Sequence, residues 1–224
     1  MNRDYYVNMF SPPPLGVTLF TGDIRYIEKL VREYEFQRNT CNSITVTDTI
    51  LDDPQFIDLR NFILNFVHRY TEKVCRSKQA IELKQSWANI TDTNEIHPTH
   101  MHPNSFISGV MFVKSDSHSP PLMVENPWRP YYYSVDLYSG DTDSQLPPNE
   151  FESSLAPVYQ ITPDEGKIVL FPSPTPHFVP ESHSENDRIT LAFNTYPTRP
   201  FGSKKDVTYA VSYTHLTLPT KRIV

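Results

Sequence analysis

"PDEGKIVLFPSPTPHFVPE", residues 163–181, decides more about the fold than any other stretch of the chain. Asp164–Gly166 is turn chemistry, and Lys167–Pro172 is an apolar run of strand length. The prolines from Pro172 to Pro176 then bend the chain, so that His177 opens a second short strand. Similar runs recur on both sides. "IELKQSWANI" (81–90), "FISGVMFVK" (106–114), "PVYQIT" (157–162) and "RITLAFNTY" (188–196) are β-branched or aromatic, with Pro, Asp, Asn or Gly at their borders. The composition agrees: 21 prolines against 6 glycines, with 13 tyrosines and 13 phenylalanines, suit strands joined by stiff loops and packed with aromatics. After Gln79 the chain therefore reads as a two-sheet β-fold.

Before Gln79 the period is helical. Ile24, Ile27, Leu30, Val31 and Tyr34 recur at helical spacing behind a capping Asp23. Phe56, Leu59, Phe62, Ile63, Phe66, Val67 and Tyr70 do the same after the helix-starting pair Asp53–Pro54. Each helix has one apolar face, which a sheet would cover. The expected organisation is an N-terminal helical support region over residues 1–80 and a β core over 81–200. A length of 224 residues suits such a single domain. The stretch between Lys114 and Ala156 is too long for a plain connection and is expected to hold further strands or a lid. Within it, Trp128, Arg129 and Tyr131–Tyr133 read equally as a substrate lid and as loop packing. Residues 211–224, "VSYTHLTLPTKRIV", resemble the conceptual translation of a sequencing-library adapter and are set aside as a non-native tail.

A net charge of −6 and an isoelectric point near 5.7 give no broad basic field, so nucleic acid is not an expected partner. Cys41 and Cys75, far apart and in no C-x-x-C arrangement, fit a reduced, cytoplasmic protein. Nowhere do 18 uncharged apolar residues run together, so no membrane partner is expected. Oligomeric state leaves no mark on the sequence.

"HPTHMHPNSF", residues 97–106, carries the chemistry. Side chains two apart on a strand share a face, so His100 and His102 can reach one ion while Met101 points away. His97, set off by Pro98 and Thr99, is expected to precede that alternation. Divalent metals of the iron, zinc or manganese type want convergent imidazoles, although an isolated H-x-H is as readily a polar strand edge. The candidate third ligand is His177. Arg188 and Thr190 place a guanidinium and a hydroxyl on one strand face, a clamp suited to a carboxylate; the plain alternative is an ion pair of Arg188 with Glu185 or Asp187. Asn104 and Ser108 would continue the His102 face if no bulge intervenes, or else serve turn and strand-edge hydrogen bonds. Asn89 and Asn194 could line the same mouth, and Trp87 reads as core.

Taken together, the order H-x-H-P-N-S-x-x-S-G-V, then G-x-x-x-x-F-P, then His177, then R-x-[ST]-x-x-F-N resembles the iron(II)/2-oxoglutarate-dependent oxygenases. The resemblance is specifically to a group common in phage and marine bacterial sequences and related to the prolyl 4-hydroxylase type. It spans about residues 81–197. The resemblance implies a double-stranded β-helix core, a jelly roll of cupin-like form. It also implies Fe(II) on His100, His177 and His102, with His102 standing where most relatives have Asp or Glu. Arg188 and Thr190 would bind the distal carboxylate of 2-oxoglutarate, with Asn104 and Ser108 as further cosubstrate contacts. The implied reaction couples oxidative decarboxylation of 2-oxoglutarate by O2 to hydroxylation of a small molecule or a peptide side chain such as proline, with ascorbate in support. Three neutral imidazoles would leave the site one unit more positive than the usual two histidines and a carboxylate. Two other readings compete. A cupin-type three-histidine dioxygenase would carry a Glu soon after the histidine pair and would have no use for Arg188. A non-enzymatic phage or virion jelly roll could recruit His97 into a closed four-ligand zinc site.

Overall fold

A computed structural model of the chain describes residues 5–6, 14–126, 158–198 and 205. The elements run β1 (Tyr5–Tyr6), β2 (Gly16–Leu19), α1 (Ile24–Arg32), β3 (Phe36–Arg38), β4 (Ser43–Thr45), α2 (Ile57–Val74) and β5 (Ile81–Thr91). They continue with β6 (His97–His100), β7 (Ile107–Lys114), β8 (Leu122–Glu125), β9 (Val158–Ile161), β10 (Lys167–Pro172), β11 (His177–Val179) and β12 (Arg188–Pro197). A large sheet has the order β1-β2-β10-β7-β12-β5-β4-β3 and a small one the order β6-β11-β8-β9. From β5 onward the chain winds between them, with β5, β7, β10 and β12 in the large sheet and β6, β8, β9 and β11 in the small one. This is the winding of a double-stranded β-helix.

Strand alternation divides the large sheet into two cores. Ile107, Met111 and Val113 of β7, Ile168 and Leu170 of β10, and Ile189, Leu191 and Phe193 of β12 face outward, onto the apolar stripes of α1 and α2. Phe112, Val169 and Phe171 face inward, toward Leu122, Val124, Tyr159 and Ile161 of the small sheet. Every second residue of these strands is thus committed to the helices, and the others are left to line the space between the sheets. Gly109 marks a close approach: a Cβ there would lie 2.2 Å from Phe193 Cζ and 2.7 Å from Leu170 Cδ2. Gly166, at φ +84°, closes the turn into β10, where the Lys167 N–H donates to the Asp164 carbonyl at 3.0 Å.

The first helix starts behind Asp23 as expected, whereas Asp53–Pro54 opens a 3-10 turn and α2 begins only at Ile57, with Phe56 at its N-cap and no side-chain cap. The Asp23 carboxylate accepts from the Tyr26 N–H at 2.9 Å, and the Asp53 carboxylate accepts from the Gln55 N–H at 2.9 Å ahead of a 3-10 turn that leads into α2. The first 80 residues also supply strands that periodicity does not reveal. β2 pairs with β10, and the β3–β4 hairpin pairs through β4 with β5, extending the large sheet on both sides. Strands of three or four residues are too short to establish a period of two. β8 supplies a strand within the stretch 115–156. Residues 127–157, with Trp128, Arg129 and Tyr131–Tyr133, lie outside the described residues, as does the tail 211–224.

Candidate active site

The small sheet sets two histidines side by side: His177, first in β11, is the register partner of His100, last in β6. Their ring centroids are 4.2 Å apart. His102 lies just beyond β6, where its backbone N–H donates to the Ser173 carbonyl at 3.0 Å. Its ring stacks on His177 at 5.1 Å and 14°, and the two Nε2 atoms are 3.2 Å apart. One ring nitrogen from each of His100, His102 and His177 lies within 4.8 Å of the others. His102 reaches this position from irregular chain just before the Pro103–Asn104 turn, and not by the strand alternation that the H-x-H spacing predicts.

Hydrogen bonds fix the tautomers of two of these rings. His100 Nδ1 is 2.9 Å from the Pro98 carbonyl and His177 Nδ1 is 2.9 Å from the Thr175 carbonyl. A carbonyl only accepts, so Nδ1 carries the proton in both and each Nε2 keeps its lone pair. Two imidazole nitrogens, each about 2.1 Å from one ion and near a right angle, would be about 3 Å apart, close to the observed Nε2 separation. Burial keeps the rings neutral. It pushes His177 down to about 4, with His100 adding to the effect, and His102 down to about 3, with His177, His100 and His97 adding. His100 is lowered by burial as well. Ligand imidazoles must be unprotonated, and these satisfy that condition at neutral pH.

His97 does lie in the regular strand, at the start of β6, and its ring stacks on His100 at 4.2 Å and 10°. It stands outside the convergent group, so no four-histidine cage forms among the described residues. Burial, with His100, His177 and Arg188 nearby, pushes it down to about 4.

At the other end of the same cavity lies Arg188, the first residue of β12, only 3% exposed. Its guanidinium sits over the Phe112 ring, 5.3 Å from the centroid. Its Nε has no hydrogen-bond partner, and no carboxylate pairs with it among the described residues. The ion pair with Asp187 does not form, because Asp187 is held by Arg32 at 2.8 Å and by Lys114. Burial pulls Arg188 down to about 10, which still leaves it cationic at neutral pH. An unpaired buried charge costs roughly several kcal/mol, so this end of the cavity is suited to an anion. Thr190 lines the cavity from the same strand face. Asn89 Oδ1, Asn42 Oδ1 and Asn42 Nδ2 are buried without partners among the described residues, and both asparagines line the same space.

The remaining candidates separate. Asn104 does not line the cavity: it is exposed, in a turn, at φ +62°, and that turn interrupts the face expected to run from His102. Ser108 is buried and already partnered, donating to Asn194 Oδ1 at 2.7 Å and lying 2.8 Å from the Ser173 hydroxyl. Asn194 in turn donates to Gln85 Oε1 at 3.1 Å. Ser108 therefore braces the strands beside the cavity. Trp87 is only partly core, because its ring stands 5.7 Å from that of His102. With Met101, Pro103, Asp48, Gln85 and Asn194 it lines an outer cleft of about 340 Å³ that adjoins His102. Asn42 and Ser173 escape sequence reasoning. The only cue for Asn42 is a turn-forming Asn pair in "RNTCNS" (38–43), and Ser173 acts partly through a carbonyl, which no side-chain pattern reports.

Residues 85–194 match the family model described as "Putative 2OG-Fe(II) oxygenase". No curated protein sequence matches the chain. Among solved structures the fold is similar to HygX from Streptomyces hygroscopicus with nickel and 2-oxoglutarate bound, at 10% identity over 82% of this chain and 83% of that one, TM-score 0.58. It is similar to a Pseudomonas putida prolyl-4-hydroxylase at 10% identity over 80% and 91%, TM-score 0.51. It is also similar to SnoN, a non-heme alpha ketoglutarate dependent epimerase from nogalamycin biosynthesis, at 12% identity over 87% and 79%, TM-score 0.56. At these identities the likeness is one of fold, and the fold is the double-stranded β-helix.

Proposed function

We propose, from the premise that the chain carries a 2OG-Fe(II) oxygenase domain over residues 85–194, that His100, His102 and His177 hold Fe(II) while Arg188 and Thr190 bind 2-oxoglutarate. The observation that carries this assignment is Arg188. A buried, cationic guanidinium with no carboxylate partner among the described residues shares a cavity with three convergent neutral imidazoles. A dicarboxylate would pair one end with Arg188 and offer the other to a metal that the imidazoles would hold.

The donor set fits the metal. Imidazole nitrogens suit iron, and the backbone acceptors on His100 and His177 orient the rings before an ion arrives. Bound together, Fe(II), 2-oxoglutarate and O2 supply the oxidising chemistry, with succinate and CO2 as coproducts. The chain's own residues bind and orient. Arg188 donates to the distal carboxylate, the Thr190 hydroxyl adds a donor, and Phe112, whose ring lies under the guanidinium, keeps water from that end. The substrate, a small molecule or a peptide side chain, enters the outer cleft beside His102, whose volume suits a group of that size. No helix among the described residues is long and apolar enough to cross a membrane. We place the protein in the cytoplasm on the strength of two free thiols, Cys41 and Cys75.

The direct test is turnover. Protein reconstituted with Fe(II) is expected to form succinate only when both 2-oxoglutarate and O2 are present. Metal-loaded, folded protein that forms none would contradict the proposal.

A further inference from the structure

Asn42 belongs to the N-terminal segment, outside the 85–194 match, yet it lines the cavity that holds Arg188. Its placement is specific. The Asn39 carboxamide oxygen accepts from the Cys41 N–H at 2.8 Å and the Asn42 N–H at 2.9 Å, while the Asn39 N–H donates to the Asn42 carbonyl at 2.9 Å. That knot is the tip of the β3–β4 hairpin. Ser43 and Ile44 then pair with Ile90 and Asn89 of β5, docking the hairpin on the strand that carries Asn89 and Thr91 into the cavity.

The backbone is fully used and the side chain is not. Asn42 is 1% exposed, and neither Oδ1 nor Nδ2 has a partner. The side chain holds no other group in place, so an apolar residue of the same size would suit a purely structural position better. Buried amides are ordinarily hydrogen-bonded, and the cavity that Asn42 lines also holds Arg188, whose Nε donor is likewise without a partner among the described residues.

We propose that Asn42 is a cosubstrate-binding residue: its Nδ2–H donates to the carboxylate that Arg188 holds, and the β3–β4 hairpin forms the closed end of the 2-oxoglutarate pocket. The assignment rests on the oxygenase proposal above. It makes the N-terminal segment part of the site, in addition to being a support for the core.

The test uses the full chain loaded anaerobically with Fe(II) and titrated calorimetrically with 2-oxoglutarate, for the wild type, Asn42→Leu and Asn42→Asp. Asn42→Leu is expected to weaken 2-oxoglutarate binding about tenfold. The same variant, measured without cosubstrate, should melt at a higher temperature than the wild type, because an unsatisfied amide has gone. Asn42→Asp sets a carboxylate against a carboxylate and should weaken binding about a hundredfold. Iron affinity should stay unchanged in both. If both variants bind 2-oxoglutarate as the wild type does, this inference alone is overturned. An Asn42→Leu protein that melts lower and binds both iron and 2-oxoglutarate more weakly would also overturn it, since Asn42 would then be structural. A wild type that binds iron but no 2-oxoglutarate would remove the oxygenase proposal itself.

Discussion

The two ends of the central cavity differ in how far the protein completes them. At the histidine end, the Pro98 and Thr175 carbonyls accept hydrogen bonds from the Nδ1–H groups of His100 and His177, leaving each Nε2 with its lone pair, and the Nε2 atoms of His102 and His177 lie 3.2 Å apart. At the Arg188 end, two donors, Arg188 Nε and Asn42 Nδ2, and two acceptors, the Oδ1 atoms of Asn42 and Asn89, are buried without a partner among the described residues. One end is oriented in advance by backbone geometry; the other keeps two unspent donors, Arg188 Nε and Asn42 Nδ2, that a carboxylate would satisfy. A metal needs convergent lone pairs, which a fold can supply by itself. An anion site needs unspent donors, and unspent donors cost stability until the anion arrives.

That contrast can be broken most severely at the histidine end. His177→Ala removes the imidazole that faces both others, and iron affinity should fall by more than about a hundredfold, beyond the roughly 10–100-fold typical of losing an outer partner. His97→Ala removes only a stacking neighbour of His100 and should change iron affinity by less than about tenfold. Equal losses in the two variants, measured by competition with a chelator, would dissolve the distinction between ligand and neighbour.

A smaller effect follows from proton binding at the same end. The folded values of His97 and His177, about 4, and of His102, about 3, lie below the ordinary value of about 6.5. Between those limits the unfolded chain binds more protons than the folded one, so stability rises with pH. The metal-free protein should therefore lose thermal stability as pH falls from about 6.5 toward 4, and should change little from these groups above about 7. A melting temperature that stays level across the acid window would show that the rings are solvated and titrate normally.

Much of this molecule is legible in the order of its residues, and the exceptions share a cause. "KIVLFP" and "RITLAFN" reveal their strands because alternate residues meet different surroundings: Ile189, Leu191 and Phe193 face the helices, while Arg188 and Thr190 face the cavity. The same alternation made Arg188 and Thr190 recognisable as a pair. His102 also reaches its neighbours, but from irregular chain held by the Ser173 carbonyl, so the juxtaposition that strand periodicity suggests arises by a different local device. Asn104 fails because the Pro103–Asn104 turn breaks the face it was expected to continue. Asn42 and strands β2 to β4 were not legible at all. Their positions depend on docking against β5 and β10, and short polar segments carry no period that records a distant partner.

The measurement that bears most directly on the central claim is an anaerobic titration of the Fe(II)-loaded protein with 2-oxoglutarate, followed by the metal-to-ligand charge-transfer band, in wild type and Arg188→Met. The wild type should develop the band. Arg188→Met should keep its iron yet need at least about thirtyfold more 2-oxoglutarate, a loss of about 2 kcal/mol or more, and its metal-free form should melt higher because a buried unpaired charge is gone. Unchanged affinity for 2-oxoglutarate in folded, iron-bound Arg188→Met would contradict the assignment.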